Sequence, residues 1–193
     1  MVNFEFHLSK KKKGGVSTLL VGMVAIYAII NIFAMFMFRE AILIGAKSMK
    51  TSCDLSNLAS YKYIDRIELG RSQQIIFDEN DVNKVLSTFK EYLMKNMQLD
   101  NNLSPISKTS ILVKPLTIKK MILYSFENGV VSVYTYTDIN PNFIKSNPKG
   151  SIKTPSGQEV EKTAIYTEVG YTIELMYGYE YEGVITSYTD IVK

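Results

Sequence analysis

The side chains best suited to covalent or metal chemistry are scarce in this chain. It holds one histidine, His7, and one cysteine, Cys53. A four-coordinate Cys/His zinc site needs several such ligands, and an intrachain disulfide needs a second thiol. Neither can form. Ser-His-Asp and Cys-His chemistry would have to use His7, which a long apolar segment separates from the rest of the chain. Carboxylates are more plentiful. Glu159, Glu161, Glu168, Glu174, Glu180, Glu182 and Asp190 lie in the last third, alternating along predicted strands and turns as a solvated sheet face does. Glu180 and Glu182 flank Tyr181, where a weak cation or carbohydrate contact is the sharpest chemistry on offer. Asp78-Glu79-Asn80-Asp81 lacks the glycine and distal glutamate of a calcium loop, and no GxGxxG or P-loop occurs. The chain therefore reads as a non-enzyme, with no catalytic, cofactor-binding or metal-ligating residues.

The dominant element is KKKKGGVSTLLVGMVAIYAIINIFAMFMFRE, Lys10 to Glu40. Residues 16–38 are 23 positions without a charge. At about 1.5 Å per residue they cover ~35 Å, enough to cross the ~30 Å hydrocarbon core once. A secretory signal has a shorter apolar region and a small-x-small cleavage site, whereas this run ends in Arg39-Glu40. A retained membrane anchor is predicted. Its flanks set the orientation: residues 1–53 carry seven Lys/Arg against two acidic residues, and the remainder fifteen against seventeen. Residues 1–15 are then a cytoplasmic basic leader and the C-terminal region lies outside, by the positive-inside rule. Confining the basic excess to the leader argues against nucleic-acid binding. Asn31, the strongly polar residue of the span, needs either a neighbouring helix or a backbone carbonyl, and both remain open.

The helix does not stop at residue 38. No proline occurs before Tyr61, and Ile42, Ala46, Met49 and Cys53 recur at spacings of four, three and four, which is one helical stripe. Leu55, Leu58 and Ala59 extend an apolar face. A continuous helix to about Tyr61 follows, with residues 39–62 an extracytoplasmic extension acting as a stalk or packing rod.

A basic, glycine-ended leader running into an apolar helix resembles the prepilin class of segments. Some thirty residues on, KTSCDLSNLASYKYID (Lys50 to Asp65) resembles the small-residue and Asp-Leu-Ala pattern of TadE/TadG-like proteins, the minor pseudopilins of tight-adherence (Tad/Flp) pili; Asp54, Leu55, Leu58 and Ala59 occupy its positions. The resemblance covers residues 10–65. It implies assembly through an N-terminal helix, here Asn31, Ile42, Ala46, Met49, Cys53, Asp54 and Leu58, and a candidate processing site at Gly14, Gly15 and Val16. The family's glutamate at the fifth mature position has no counterpart: cleavage after Gly15 or Gly14 puts Leu20 or Leu19 there. That tilts the likeness toward an unprocessed, TadG-like accessory.

Residues 63–193 are expected to form a small α+β domain outside the membrane. Val82, Val85, Leu86, Phe89, Leu93 and Met97 mark one amphipathic helix, with Asp78 or Asn80 as N-cap. Residues 110–126 and 130–137, joined by Asn128-Gly129, read as a β-hairpin, with Pro115 interrupting or edging the first strand. Val160 to Tyr177 presents Ile165, Thr167, Val169, Tyr171, Ile173 and Leu175 on one alternating face, with Gly170 as a bulge candidate. GYEYEG (Gly178 to Gly183) is expected to turn the chain into a last strand from Val184 to Val192. The sum is one helix on an antiparallel sheet of about four strands.

The functional expectation is a pseudopilin-like subunit or accessory of a Tad/Flp-type pilus or secretion apparatus. Its partners would be membrane lipid, other subunits of that machinery through helix packing, and copies of itself. The competing expectation is a membrane-tethered binding module of a conjugation or cell-envelope complex, whose anchor only localises the sheet domain and its late tyrosines.

Overall fold

The computed structural model describes residues 15–72, 74–78, 80–107, 110, 112–127, 129–174 and 178–191. Residues 1–14, including His7 and Gly14, lie outside them, as do Glu79, Asn128, Leu175, Tyr177 and Val192. The chain divides into two compact units, residues 1–41 and 42–193. One helix, α1 (Gly15–Ser60, 46 residues), contributes to both.

In the first unit the described side chains of α1 are exposed apart from the half-buried Asn31, Ala34 and Phe38, and none of its most apolar window is buried. It is long and apolar enough to cross a membrane once. Asn31 meets its need within the helix, donating from Nδ2 to the Tyr27 carbonyl at 2.8 Å.

In the second unit the remainder of α1 ends in a 3-10 turn (Tyr61–Tyr63). A short helix α2 (Arg66–Ser72) follows, an element the sequence pattern did not mark. Asp65 caps it: its Oδ1 accepts from the Glu68 backbone N–H at 3.0 Å. Helix α3 (Val82–Met97) buries Val82, Val85, Phe89 and Leu93, with Leu86 and Met97 partly buried beside them. The expected caps are displaced. Asp81 is the N-cap residue and makes no side-chain cap bond; it pairs instead with Lys84 at 2.6 Å. Asp78 accepts from the Asn80 N–H at 2.9 Å, one turn ahead of the helix.

Five antiparallel strands form one sheet in the order β3-β2-β1-β4-β5: β1 Thr117–Glu127, β2 Val130–Thr137, β3 Ile144–Ser146, β4 Ala164–Glu174 and β5 Glu180–Asp190. The strand beyond the expected four is the three-residue β3. Strand β1 starts two residues after Pro115. Its hairpin with β2 closes at Glu127 opposite Val130, and Gly129 takes φ 79°, open to glycine at little cost. The irregularity expected at Gly170 lies on the facing strand, where Lys119 is the extra residue between Ile118 and Lys120. A Cβ at Gly170 would come within 2.8 Å of the Lys119 side chain, so the glycine makes room for it. β5 begins at Glu180, four residues earlier than expected, so most of GYEYEG is strand.

The sheet has two buried faces. Met121, Leu123, Tyr134, Tyr136, Ile165, Val169 and Ile173 pack with Met49, Cys53 and the apolar stripe of α3. Ile122, Tyr124, Val131, Val133 and Tyr166 pack on the other side with Ile152 and Val160 from the β3–β4 connection. Alternation along β2 and β4 distributes these residues as period-two geometry requires.

Candidate functional site

The residues expected to mediate assembly fall into three environments. Asn31 belongs to the exposed apolar half of α1. Ile42, Ala46, Met49 and Cys53 turn inward within the second unit: Met49 and Cys53 are 5% and 1% exposed, and Ile42 packs against the same core. The stripe is therefore filled by this chain's own domain. Leu55 and Leu58 point away from that core and are 52% and 57% exposed, as are Leu43 and Ile44 at 48% and 68%. Of the candidate processing site, Gly15 and Val16 begin α1 and Gly14 lies outside the described residues.

Asp54 takes part in a polar seam that the sequence reading did not anticipate. Its Oδ1 accepts from the Ser187 hydroxyl at 2.5 Å and lies 3.5 Å from Lys50 Nζ. Asn57, fully buried, donates from Nδ2 to Ser187 Oγ at 2.8 Å, with Thr167 Oγ1 at 3.3 Å and Thr189 Oγ1 at 3.5 Å. Ser56 donates to the Ser52 carbonyl, and Ser60 to the carbonyls of Ser56 and Val85, which ties α1 to α3. The Tyr61 hydroxyl donates to the Thr189 carbonyl at 2.6 Å. Asn57 Oδ1 is buried without a hydrogen-bond partner. An orphaned acceptor of this kind costs about 1–3 kcal/mol, so the seam trades stability for a fixed placement of α1 on β4 and β5. A signal for it exists: Met49, Cys53, Ser56 and Ser60 continue one stripe at spacings of four, three and four, with serine replacing the larger apolar residues.

Burial sets the electrostatics here. Desolvation pushes the Cys53 thiol up to about 12, with the Asp54 carboxylate adding to the rise and Lys50 opposing it. Desolvation likewise raises the Tyr61 phenol, reinforced by Asp190. Both groups stay protonated and neutral at physiological pH, so Cys53 behaves as a small packed hydrophobe.

The acidic turn expected around Tyr181 is the start of β5. Glu180 pairs with Lys114 at 2.5 Å, and Glu182 stands 4.0 Å from the same ammonium. Beside them a shallow cleft of about 340 Å³ is lined by Lys119, Gly170, Tyr171 and Gly183 among others. Its glycines face the Lys119 and Tyr171 side chains of this chain, which accounts for them without a ligand. Among the described residues no three of His, Cys, Asp and Glu gather closely enough to hold a metal ion. No protein-family model, no curated protein and no solved structure matches the chain.

Proposed function

We propose that this chain is a non-enzymatic, pseudopilin-like subunit or accessory of a Tad/Flp-type pilus or secretion apparatus. Its leader would stay in the cytoplasm, and residues 42–193 would stand outside the membrane. One observation supports the reading: a single unbroken helix is apolar and exposed over its first part and docked on the sheet over its second. Residues 17–38 carry no charge and are largely exposed, as a lipid-embedded segment is, while the continuation is docked on an antiparallel sheet with Leu43, Ile44, Leu55 and Leu58 left uncovered. Those four are the surface on which helix packing against another subunit would run. The docked residues Met49 and Cys53 would instead hold the domain to its own helix.

N-terminal mass spectrometry tests this, comparing the membrane-extracted protein with sheared surface filaments. The unprocessed-accessory form predicts an intact Met1 and co-purification of pilus components under mild detergent. An N-terminus at Gly15 or Val16 would assign it to the processed subunits. A chain that extracts only as a monomer, with no such component, favours the tethered binding module. In that case a domain on an unrelated anchor would restore function.

A further inference from the structure

The two edges of the sheet are built differently. The β3 edge is three residues long, carries Lys145 and is flanked by Pro141 and Pro148, all features that discourage strand addition. The β5 edge is eleven residues long, contains no proline, lysine or arginine, and keeps one unbroken register with β4 from Asp190 to Glu180. No described element pairs with its outer side. Beyond Thr186 the strand is engaged by the α1 seam through Ser187 and Thr189. The open run is therefore 180–186, with Tyr181 and Val184 50% and 46% exposed.

We propose that this run pairs with the same run of a second copy, antiparallel about a two-fold axis at Gly183, giving a continuous ten-stranded sheet. The carboxylates narrow the register to two centres, and the glycine decides between them. A two-fold centred on Glu180 or Glu182 sets a glutamate against itself, and one on Tyr181 sets Glu180 against Glu182. Centres at Ile185 and Thr186 set Glu180 or Glu182 against Asp190. Like charges directly opposite are destabilising. Only Gly183 and Val184 leave each carboxylate facing an uncharged residue. At Gly183, Glu180 faces Thr186, Glu182 faces Val184, and on the other face Tyr181 meets Ile185. Gly183 has no side chain to hold the copies apart, and the Tyr171 ring lies over it, next to Tyr181 at 6.4 Å between centroids. Two-fold closure makes the contact finite, unlike an open edge that would add strands indefinitely. The proposal stands apart from the anchor reading, since it concerns residues of the second unit alone.

Site-directed cross-linking of full-length chains co-produced in one membrane tests it. Glu180→Cys and Thr186→Cys are exposed substitutions that leave the core intact, and the parent chain, with Cys53 buried, is the blank. Under mild oxidation the mixture should give the Glu180→Cys/Thr186→Cys heterodimer in about ten-fold excess over either homodimer, because only the mixed pair brings Cβ atoms within disulfide reach. Like positions would stand ~20 Å apart, six residues along a strand. Equal amounts of all three dimers, homodimers alone, or no cross-linked product each overturn the proposal. A heterodimer between Glu180→Cys and Tyr188→Cys in its place moves the axis to Val184 and overturns the Gly183 register.

Discussion

The two halves of α1 share one backbone and are covered in different ways. Over residues 17–38 the described side chains are almost all apolar and are exposed or only half-covered, so their protection is left to the surroundings. From Ile42 to Ser60 one face is small and polar, seated on the sheet through Ser52, Cys53, Ser56, Asn57 and Ser60, and the other face keeps scattered leucines. The difference teaches that a helix face docks when its side chains are small enough for close approach and its polar atoms find partners, and that an all-round apolar helix suits lipid.

Thiol reactivity should separate the two halves by the widest margin. With its pKa near 12 against a usual value of 9.0, Cys53 holds about a thousandth of the thiolate of an unfolded cysteine at pH 8. A membrane-impermeant thiol reagent should label it at least about a thousand-fold more slowly in the folded chain than in urea. Phe33→Cys, in a chain whose Cys53 is replaced by alanine, should stay shielded in urea as long as the bilayer is intact. Rapid native labelling of Cys53 would mean that the second half of α1 is not docked. Labelling in urea only when the cytoplasmic side is open would reverse the proposed orientation. The same shift gives a pH signature: below about pH 9 the thiol is protonated in both states, and from there to about 12 only the unfolded chain ionises. Stability should fall with rising pH across that window, and Cys53→Ala should remove this component of the slope.

A charge placed in each half gives the next largest contrast. Ile26→Lys sits near the middle of the apolar run and should cost about 2.5–3.5 kcal/mol of insertion free energy, lowering the carbonate-resistant membrane fraction sharply. Leu55→Lys, on the uncovered face of the docked half, should leave both membrane fraction and fold unchanged. Equal behaviour of the two would remove the distinction between the halves.

The two asparagines of α1 provide a finer test. Asn57→Ala removes the donor shared among Ser187, Thr167 and Thr189, and should lower the stability of the second unit by about 1–3 kcal/mol in urea unfolding followed by near-ultraviolet tyrosine signals. Asn31→Leu removes the bond to the Tyr27 carbonyl of its own helix, and should leave that transition where it is. A matching loss at Asn31 would mean that the first half is also packed on protein.

These contrasts were only partly legible in the sequence. The apolar run of α1 and its continuity, the stripe of α3 and the inward face of β4 were readable because each rests on a long pattern, such as Ile165, Thr167, Val169 and Ile173. Short elements carry no such redundancy. β3 has three residues, and α2 is marked only by Asp65 and Glu68 at capping-box spacing. The start of β5 was hidden because glycine and glutamate are poor strand formers. Tertiary contacts override that preference: the Tyr171 ring covers Gly183, and Lys114 neutralises Glu180. The assembly stripe was identified as a stripe, but its partner was not, since spacing shows which residues share a face and not what that face meets. Asn57 escaped because a buried polar residue becomes visible only with the hydroxyls that receive it, more than a hundred positions away.

The exposed leucines of the docked half contribute least to stability. Leu58 is 57% exposed and Met49 5% exposed, on the same helix and within three turns of each other. Met49→Ala should cost about 2–5 kcal/mol of folding stability through the cavity it leaves. Leu58→Ala should cost less than about 0.5 kcal/mol, as exposed substitutions do. If the uncovered leucines are a packing surface, Leu58→Ala in a fully folded chain should still reduce co-purification of its assembly partners several-fold, with Leu55→Ala adding to the loss. A drop in stability like that of Met49→Ala would show that Leu58 is covered by its own domain. Unchanged stability together with unchanged co-purification would move assembly off this face of α1, leaving the apolar half alone to carry it.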